Sequence, residues 1–361
     1  MGVFKAIGSR GHEEIIFGND PASGLRSIIA IHSTALGPAL GGTRFYPYQN
    51  ESEALEDVLR LSQGMTLKAA AAGLDLGGGK AVIIGDPRTK KSERLWRAFG
   101  REVDSLGGRY ITAEDVGTDT ADMSLIRRET RWVVGVAADE GGSGDPSPFT
   151  ARGVAASMRA ISRFLWETED LAGRTVAVMG VGKVGSSLVS LLVEAGAHCV
   201  VADTYPPALE AVKAKHPAVK VVSVEKIFAT KCDIFSPNSL GAALNEHSIA
   251  ELRCAAICGA ANNQLATETD AKRLMSRGIV YAPDFVANAG GLINVSDEIH
   301  GYSAERATAR VERIYDNVLK VLHTAHERNM SPHHAAVELA EERVHAIGAL
   351  RLFRRCGDDR A

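Results

Sequence analysis

The sequence predicts an α/β protein of two domains, the second built on a parallel sheet. Its 361 residues exceed what one hydrophobic core usually organises. Strand patterns surround one amphipathic helix in the first part, whereas short apolar strands alternate with helices from about residue 150. We therefore expect a first domain over residues 1–148, a second over 149–330, and a helical segment over 331–361 that returns to the first.

Composition is that of an ordinary globular protein and argues against several function classes. Hydrophobic residues make up 45% of the chain, and a net charge of -3 gives no basic surface for nucleic acid. No apolar run approaches the roughly 20 residues of a membrane span, and the amino terminus lacks a signal-peptide pattern. Five cysteines, mostly in apolar stretches, indicate reduced core thiols of a cytoplasmic protein. No spacing of ligating residues indicates a metal site.

Apolar spacing predicts the elements of the first domain. Residues 52–71 have apolar side chains at helical spacing. Asp119 and Asp122 have the spacing of a helix cap. The predicted strands, short apolar runs bounded by turn-forming residues, are 15–17, 27–31, 81–84 and 110–112.

Two lysines of this domain lie among small and apolar neighbours, which is unusual for this side chain. Lys68 shares a face of the predicted helix with Met65, and Lys80 follows three glycines. Lost hydration and a second cation nearby both lower the pKa of a lysine. If the two meet, one can hold an anion while the other accepts a proton. Two alternatives stay open: Lys68 snorkels past apolar neighbours, or Lys80 merely begins a strand after a flexible turn.

The second domain reads as alternating strands and helices. The last segment, from about residue 304 to 353, is predicted to form two amphipathic helices separated near Pro332. The predicted strands are 176–179, 199–202 and short runs near Val221, Ile234, Ile257 and Val280.

A glycine motif between the first two of these strands predicts a dinucleotide site. Gly180, Gly182 and Gly185 follow a strand and begin a helix, and Asp203 ends the next strand. The glycines permit a tight turn, close approach of a pyrophosphate, and close packing of helix on strand. The helix amino end supplies N–H donors to the phosphates. Because Asp203 would repel a 2′-phosphate and no arginine follows it, NAD is favoured over NADP.

Two asparagine-containing segments also point to the ligand edge of the sheet. Ala260, Asn262 and Asn263 follow a predicted strand, at the edge where open α/β sheets bind ligands. Asn288 precedes a Gly-Gly pair. The alternative is an ordinary asparagine-rich turn for the first segment and a hinge or turn for the second.

With these motifs the chain resembles the glutamate/leucine/phenylalanine/valine dehydrogenase superfamily over essentially its whole length. Its leucine-specific members are the most similar, followed by the valine-specific members. Besides the two lysine segments and the glycine loop, the matching stretches are Leu36–Arg44, Tyr110–Gly117, Gly259–Leu265 and Tyr281–Gly291.

The resemblance implies reversible, NAD-dependent oxidative deamination of an L-amino acid to a 2-oxo acid and ammonia, in a homo-oligomer of two to eight subunits. It implies that Lys68 binds the substrate carboxylate and that Lys80 activates the attacking water. Asp115 would move protons at the amino group, and Asn263 would contact the substrate. The first domain would then serve substrate binding and oligomerisation, and the second would be a Rossmann-type NAD domain.

The resemblance also implies a pocket for a branched aliphatic side chain: leucine, valine or isoleucine. Glutamate enzymes have a lysine where this chain has Leu40, and phenylalanine enzymes tend to have glycine where it has Ala113. One methylene is worth only about 1–3 kcal/mol, so the ranking among the three substrates stays open. The residues implied to border the substrate are Lys68, Leu40, Gly41, Met65, Ala113, Asn263, Leu292 and Val295.

One segment departs from the family pattern. Asn238, within Ser236–Gly241, stands where the family usually has cysteine, which adds amide hydrogen-bonding groups. The change motivates an alternative, a non-catalytic NAD- or metabolite-binding homologue; a preference for phenylalanine is another. A hydroxy-acid dehydrogenase would leave the lysines unexplained. The implied cofactor contacts are Gly180, Val181, Gly182, Lys183, Val184, Gly185, Asp203, Asn238, Ala260, Asn262 and Asn288.

We predict that glutamate is a poor substrate. Its distal carboxylate would be buried against Leu40 without a compensating cation, at a cost on the order of several kcal/mol. The measurement compares rates of NADH formation with leucine and with glutamate. Comparable rates would refute the inference from Leu40.

Overall fold

The computed structural model describes residues 3–239 and 241–350, which form two compact units. Of the described residues, one unit comprises 3–137 together with 338–350, and the other comprises 138–239 and 241–337. Each contains a β-sheet with helices, so the predicted α/β class is confirmed. Leu240, Cys356 and the rest of the predicted C-terminal segment beyond residue 350 lie outside the described residues.

Unit one holds five strands and the first five helices. No helix in the described part of the chain is long and apolar enough to cross a membrane. In chain order the elements are α1 (Val3–Arg10), β1 (Glu14–Asp20), β2 (Leu25–Ser33), β3 (Ala39–Tyr46), α2 (Glu51–Ala71), β4 (Gly77–Ile84), α3 (Pro87–Lys90), α4 (Glu93–Ser105), β5 (Tyr110–Glu114) and α5 (Thr120–Arg127).

The sheet of unit one has the strand order β1-β2-β4-β3-β5. β3 runs parallel to β4 and β5, whereas β2 is antiparallel to β4 and to β1. One face packs on an apolar cluster that includes Trp96, Phe99 and Tyr110. The other face packs on α2, where Val82 lies with Val58. The sheet is therefore covered on both faces, as its long apolar runs require.

α2 is the helix predicted over residues 52–71, and a side chain caps its amino end. The Asn50 side chain accepts a hydrogen bond from the Glu53 N–H at 2.9 Å, which satisfies a free donor of the first turn. The three glycines before Lys80 belong to buried strand β4, so the reading of Lys80 as a strand start after a flexible turn is wrong. A side chain at Gly78 would overlap the backbone of Thr66. Glycine at this position lets α2 approach β4.

The expectation of one helix in the first domain is wrong. α4 has Leu95, Phe99 and Val103 on its buried face, and the Ser92 hydroxyl accepts from the Leu95 N–H at 3.2 Å. The spacing of these apolar residues and a serine cap were visible in the sequence. The predicted cap of α5 is confirmed, because Asp119 and Asp122 form a reciprocal capping box.

Unit two holds six strands with helices between them. In chain order they are α6 (Ser147–Trp166), β6 (Thr175–Met179), α7 (Lys183–Glu194), β7 (His198–Ala202), α8 (Pro206–Lys215), β8 (Lys220–Val221), α9 (Val224–Ile227), β9 (Ile234–Pro237), α10 (Glu246–Glu251), β10 (Ala256–Ile257), α11 (Glu268–Ser276), β11 (Val280–Tyr281), α12 (Asp284–Ala287), α13 (Gly290–Ser296), α14 (Ala304–Glu312) and α15 (Ile314–Glu327). Single turns of 3₁₀ helix occur at Ala138–Glu140 and Asp297–His300.

All six strands of unit two are parallel, in the order β11-β10-β9-β6-β7-β8. The chain moves from β6 to one side through β7 and β8, then to the other side through β9, β10 and β11. The strand order therefore reverses beside β6, and such switch points open a crevice at the carboxyl ends of the strands.

The C-terminal helices differ from the sequence prediction. The first predicted helix is two helices, α14 and α15, because the helix is interrupted at Arg313. A last helix, α16 (Pro332–Gly348), begins at the predicted proline. Its second half packs on unit one: Arg343 donates to the Leu74 carbonyl at 2.7 Å, and Ala340 joins an apolar cluster with Ala70.

We predict opposite effects of alanine at two glycines of this region. Gly78→Ala should destabilise the protein by about 1–3 kcal/mol, because the added methyl overlaps Thr66 and forces a backbone shift. Gly64→Ala is the matched control: it lies on α2, and in the described part of the chain no atom lies within 4 Å of the added methyl. It should be neutral or stabilising by up to about 1 kcal/mol. Urea unfolding monitored by tryptophan fluorescence measures both. Equal effects would contradict the packing argument.

Candidate active site

The predicted site residues on the strands of unit one project from the sheet face that α2 covers. Successive side chains of a strand alternate between faces, so Lys80 projects on the same face as Gly78 and Val82, both of which contact α2. β3 is in register with β4 and β5, which places Leu40 opposite Gly78 and Ala113 opposite Gly42. Lys80, Leu40 and Ala113 therefore share one face.

Asp115 follows β5 on that face and binds two cations. Its Oδ1 lies 3.1 Å from Lys80 Nζ, and its Oδ2 accepts from Arg44 Nε at 2.8 Å. The Lys80 side chain is only 6% exposed and that of Asp115 22%. Two residues that are distant in sequence thus form a buried ion pair.

The surroundings shift the pKa of both partners downward. Burial lowers the pKa of Lys80 below its ordinary value, and the Asp115 carboxylate opposes this shift without cancelling it. Burial alone would raise the pKa of Asp115, but the charges of Lys80 and Arg44 outweigh it and hold the pKa below its usual range. Asp115 therefore stays ionised, and Lys80 releases its proton more readily than an exposed lysine does.

Arg44 extends this pair into a network that sequence reasoning did not identify. Its Nη1 donates to Asp57 Oδ2 at 2.9 Å, and the Tyr48 hydroxyl donates to the same oxygen at 2.7 Å. Asp57 projects from α2, one helical turn before Arg60, which lies 2.9 Å from its other oxygen. Arg44 was visible only as the end of a matching motif. Its partner Asp57 lies 13 residues away in the chain, and only the fold brings them together.

The remaining predicted residues of unit one lie on α2 and β3. Lys68 and Met65 are half-buried on α2, and Gly41 is buried on β3. Leu40 is 1% exposed and Ala113 8%. That Lys68 faces Lys80 stays a prediction.

In unit two the glycine motif lies at the switch point beside β6. Gly180 has a positive φ of 93°, and a side chain at Gly185 would overlap the Gly180 carbonyl, so α7 packs closely on the end of β6. Gly182 is the N-cap of α7 without a side-chain cap, and no atom of the described residues lies within 4 Å of a Cβ added there. Val181 is buried, whereas Lys183 is exposed and Val184 half-buried. The helix amino end is therefore open to an anion.

Asp203 adjoins this loop at the end of β7. Its Oδ2 accepts from the Val181 N–H at 2.7 Å, and its Oδ1 accepts from the Tyr205 N–H at 2.8 Å. These bonds fix the carboxylate beside the glycine loop. Each oxygen retains a further lone pair for a hydroxyl donor.

Asn238 at the end of β9 forms an internal brace. Its Nδ2 donates to the Ser236 carbonyl at 2.9 Å, and its Oδ1 accepts from the Ala260 N–H at 2.8 Å. The amide thus ties the end of β9 to the segment after β10. Both the oxygen and the nitrogen of the amide therefore have a partner within the protein.

A second asparagine cluster follows β10. Asn288 Nδ2 donates to Asn262 Oδ1 at 2.8 Å and to the Ala260 carbonyl at 3.1 Å. Asn288 is 4% exposed, and its Oδ1 is buried with no hydrogen-bond partner among the described residues. Asn263 is exposed in the left-handed conformation, with φ of 51°. Leu292 and Val295 lie together on α13, each 8% exposed.

Family models match both parts of the chain. The dimerisation domain of Glu/Leu/Phe/Val dehydrogenases matches residues 12–132, and the glutamate/leucine/phenylalanine/valine dehydrogenase model matches residues 207–350. The chain belongs to this dehydrogenase family. A further model, the NAD-binding domain of D-isomer-specific 2-hydroxyacid dehydrogenases, matches residues 150–257, which include the glycine loop.

Known members of the family are similar to this chain along nearly its whole length. A valine dehydrogenase of Streptomyces albus is 50% identical over 94% of this chain and 94% of its own. A leucine dehydrogenase of Bacillus subtilis is 48% identical over 95% of this chain and 94% of its own. The crystal structure of L-tryptophan dehydrogenase from Nostoc punctiforme superimposes with a TM-score of 0.86 at 42% identity, covering 96% of this chain and 99% of that one.

The residues of this family member fit NAD. The open amino end of α7 suits a pyrophosphate, and Asp203 beside it suits ribose hydroxyls. The unpartnered Asn288 Oδ1 suits an amide donor such as that of a nicotinamide. Within the described residues, no group of three or more His, Cys, Asp or Glu side chains could hold a metal ion.

We predict that Lys80 makes stability depend on pH. Its folded pKa lies below the ordinary 10.5, so the unfolded chain binds this proton more tightly. Stability should therefore rise with pH through the window between the two values, by about 1.4 kcal/mol per pKa unit of separation. Lys80→Met should lose this rise, measured by urea unfolding from pH 7 to 10.5.

Lys91→Met is the control. Despite partial burial, hydrogen bonds with Asp122 and Asp119 raise the pKa of Lys91. This variant keeps Lys80 and should keep the rise. If Lys80→Met also kept it, the rise would have to come from another group.

Proposed function

We propose that this protein catalyses reversible NAD-dependent oxidative deamination of branched-chain L-amino acids to 2-oxo acids, with release of ammonia. The observation that supports it most is the buried pair of Lys80 and Asp115. A lysine with a lowered pKa beside an ionised carboxylate is suited to general acid–base catalysis. The similar valine and leucine dehydrogenases support the reaction class.

Lys80 acts as the base in this proposal. After oxidation of the substrate to an imino acid, water must attack the α-carbon and lose a proton as it does so. Neutral Lys80 accepts that proton at Nζ, since burial has lowered its pKa. The resulting ammonium is stabilised by Asp115 3.1 Å away.

Asp115 moves the proton of the amino group. Its Oδ1 faces Lys80, and Arg44 holds its Oδ2 at 2.8 Å, so the carboxylate has a fixed orientation. Arg44 is a positioning residue, because it acts through Asp115. The pKa of Lys80 is lowered mainly by burial and raised by the Asp115 charge, and the Arg44 charge adds to the lowering. Lys68 of α2 completes the proposed set as the anchor of the substrate carboxylate.

The cofactor is NAD, held by the glycine loop before α7, by Asp203, and by the cluster around Asn288. When bound, NAD accepts the hydride that leaves the substrate α-carbon. Asn263 would contact the substrate. Asn238 is occupied by Ser236 and Ala260, so its role is to brace the cofactor edge of the sheet. Asn238 in place of the usual cysteine therefore has a structural role, and the proposed catalytic residues are unchanged.

A branched aliphatic substrate fits the buried apolar residues of the proposed pocket. Leu40 and Ala113 lie on the same face as Lys80, and neither brings a charge. That Leu292 and Val295 of unit two border the substrate stays a prediction. A preference for phenylalanine is the nearest alternative, because a phenylalanine dehydrogenase of Thermoactinomyces intermedius is also 48% identical.

We also propose a cytoplasmic homo-oligomer. The matched dimerisation domain supports self-association. So does the edge strand β1, which pairs on one side only among the described residues and leaves Phe17 56% exposed. Reduced thiols support the location, because the four cysteines in the described residues are free.

We predict NADH formation by the purified protein with leucine, valine or isoleucine, and little with phenylalanine. Lys80→Ala should reduce kcat by at least about 10²-fold, the effect of removing a general base, while NAD affinity stays nearly unchanged. Lys91→Ala, a lysine on the opposite face of the sheet beside Trp96, should retain turnover. Binding of NAD without turnover on any amino acid would support the non-catalytic homologue. Full activity of Lys80→Ala would show that the base lies elsewhere.

A further inference from the structure

Two cysteines lie side by side in unit two, at the end of its sheet opposite the glycine loop. Cys232 precedes β9 and Cys254 precedes β10. A parallel bridge joins Lys231 to Arg253 just before them, and β9 and β10 continue in the same register. Cys232 is therefore directly opposite Cys254 on neighbouring parallel chains.

The spacing of these chains suits a bond between the two sulfurs. Neighbouring strands lie about 4.8 Å apart, which is within the roughly 4.4–6.8 Å separation of Cα atoms in disulfides. The Cys232 N–H donates to the Arg253 carbonyl at 3.2 Å, which holds the two segments together. Residues opposite each other in a parallel pair project on the same face, and both cysteines pack on the same apolar cluster. The thiols therefore meet without a rearrangement of the backbone.

Exposure distinguishes this pair from the other described cysteines. Cys232 and Cys254 are half-buried, so their placement as core thiols is only partly correct, whereas Cys199 and Cys258 are buried. A small oxidant in solvent can therefore reach the pair. Burial raises the pKa of both Cys199 and Cys258, which keeps these thiols protonated and unreactive.

The charges around the pair favour thiolate on one member. Arg277 donates to the Leu252 carbonyl at 2.9 Å, two residues before Cys254. The hydrogen bond with Cys232 lowers the pKa of Cys254 against the effect of burial, and the Arg277 charge lowers it further. The hydrogen bond with Cys254 and burial raise the pKa of Cys232. Cys254 is thus the better nucleophile, and Cys232 is placed to resolve its oxidised form.

We propose that Cys232 and Cys254 form a redox modification site, an intramolecular dithiol that peroxides convert to a disulfide. The Cys254 thiolate attacks hydrogen peroxide, forming a sulfenic acid and releasing hydroxide. The Cys232 sulfur then attacks the Cys254 sulfur, and water leaves. In sum, two thiols lose two electrons and two protons, and one peroxide becomes two waters.

The bridge would join β9 and β10 at their amino ends. The glycine loop and the asparagine cluster lie at the carboxyl ends of the same sheet, so the site is separate from the proposed cofactor site. Disulfide formation therefore requires no assumption about the reaction that the protein catalyses.

The test treats the full-length protein with hydrogen peroxide, blocks remaining thiols, and maps peptides by mass spectrometry without reduction. We expect one linked peptide pair containing Cys232 and Cys254, a loss of two hydrogen atoms per chain, and reversal by a reducing agent. Dimedone should label Cys254 in the Cys232→Ser variant, because its sulfenic acid then has no resolving thiol.

Cys199→Ser is the matched control and should form the bridge as the unchanged protein does. The proposal is overturned if the unchanged protein gives no linked peptide under conditions that oxidise other thiols, or if Cys232 and Cys254 are linked only between chains. It is also overturned if peroxide gives no dimedone-labelled Cys254 in the Cys232→Ser variant. None of these readouts depends on turnover, so failure here is distinguishable from failure of the proposed reaction.

Discussion

The buried ion pair between Lys80 and Asp115 constrains unit one more than any other interaction. A buried ammonium is strongly destabilising unless a carboxylate and further hydrogen bonds accompany it. β4 and β5 are not neighbours in the sheet; β3 separates them and supplies Arg44 as the second cation on Asp115. Asp57 on α2 then compensates Arg44. Positive and negative side chains therefore alternate from the strands to α2. Each one restricts where its oppositely charged neighbour can lie.

The glycines around this pair meet the same constraint sterically. Gly42 lies against the Glu114 carbonyl and the Asp115 Cβ, and Gly78 against Thr66 of α2. Side chains at either position would overlap neighbouring backbone. Because glycine has no side chain, the helix and the strands approach closely enough to exclude water from the Lys80 ammonium. That exclusion lowers the pKa of Lys80. Stability and chemistry therefore depend on the same close packing.

Unit two distributes its two kinds of chemistry between opposite ends of one sheet. The carboxyl ends of the strands hold the glycine loop, Asp203 and the amide brace of Asn238. The amino ends of β9 and β10 place two thiols in register. A change of residue at position 238 is accommodated because the amide finds partners in both adjacent segments. The same strands can thus carry a cofactor edge and a separate oxidisable pair.

The sequence by itself determined the fold class, most strands, the cap of α5 and the glycine loop, because these depend on local spacing and local turn chemistry. It also pointed to Lys80, an ionisable residue among small and apolar neighbours. Only the tertiary structure decided that Arg44 and Asp57 accompany Lys80, that Asn238 is a brace, and that Cys232 faces Cys254. These facts depend on strand order and register, which residues far apart in the chain set together and which no local spacing encodes.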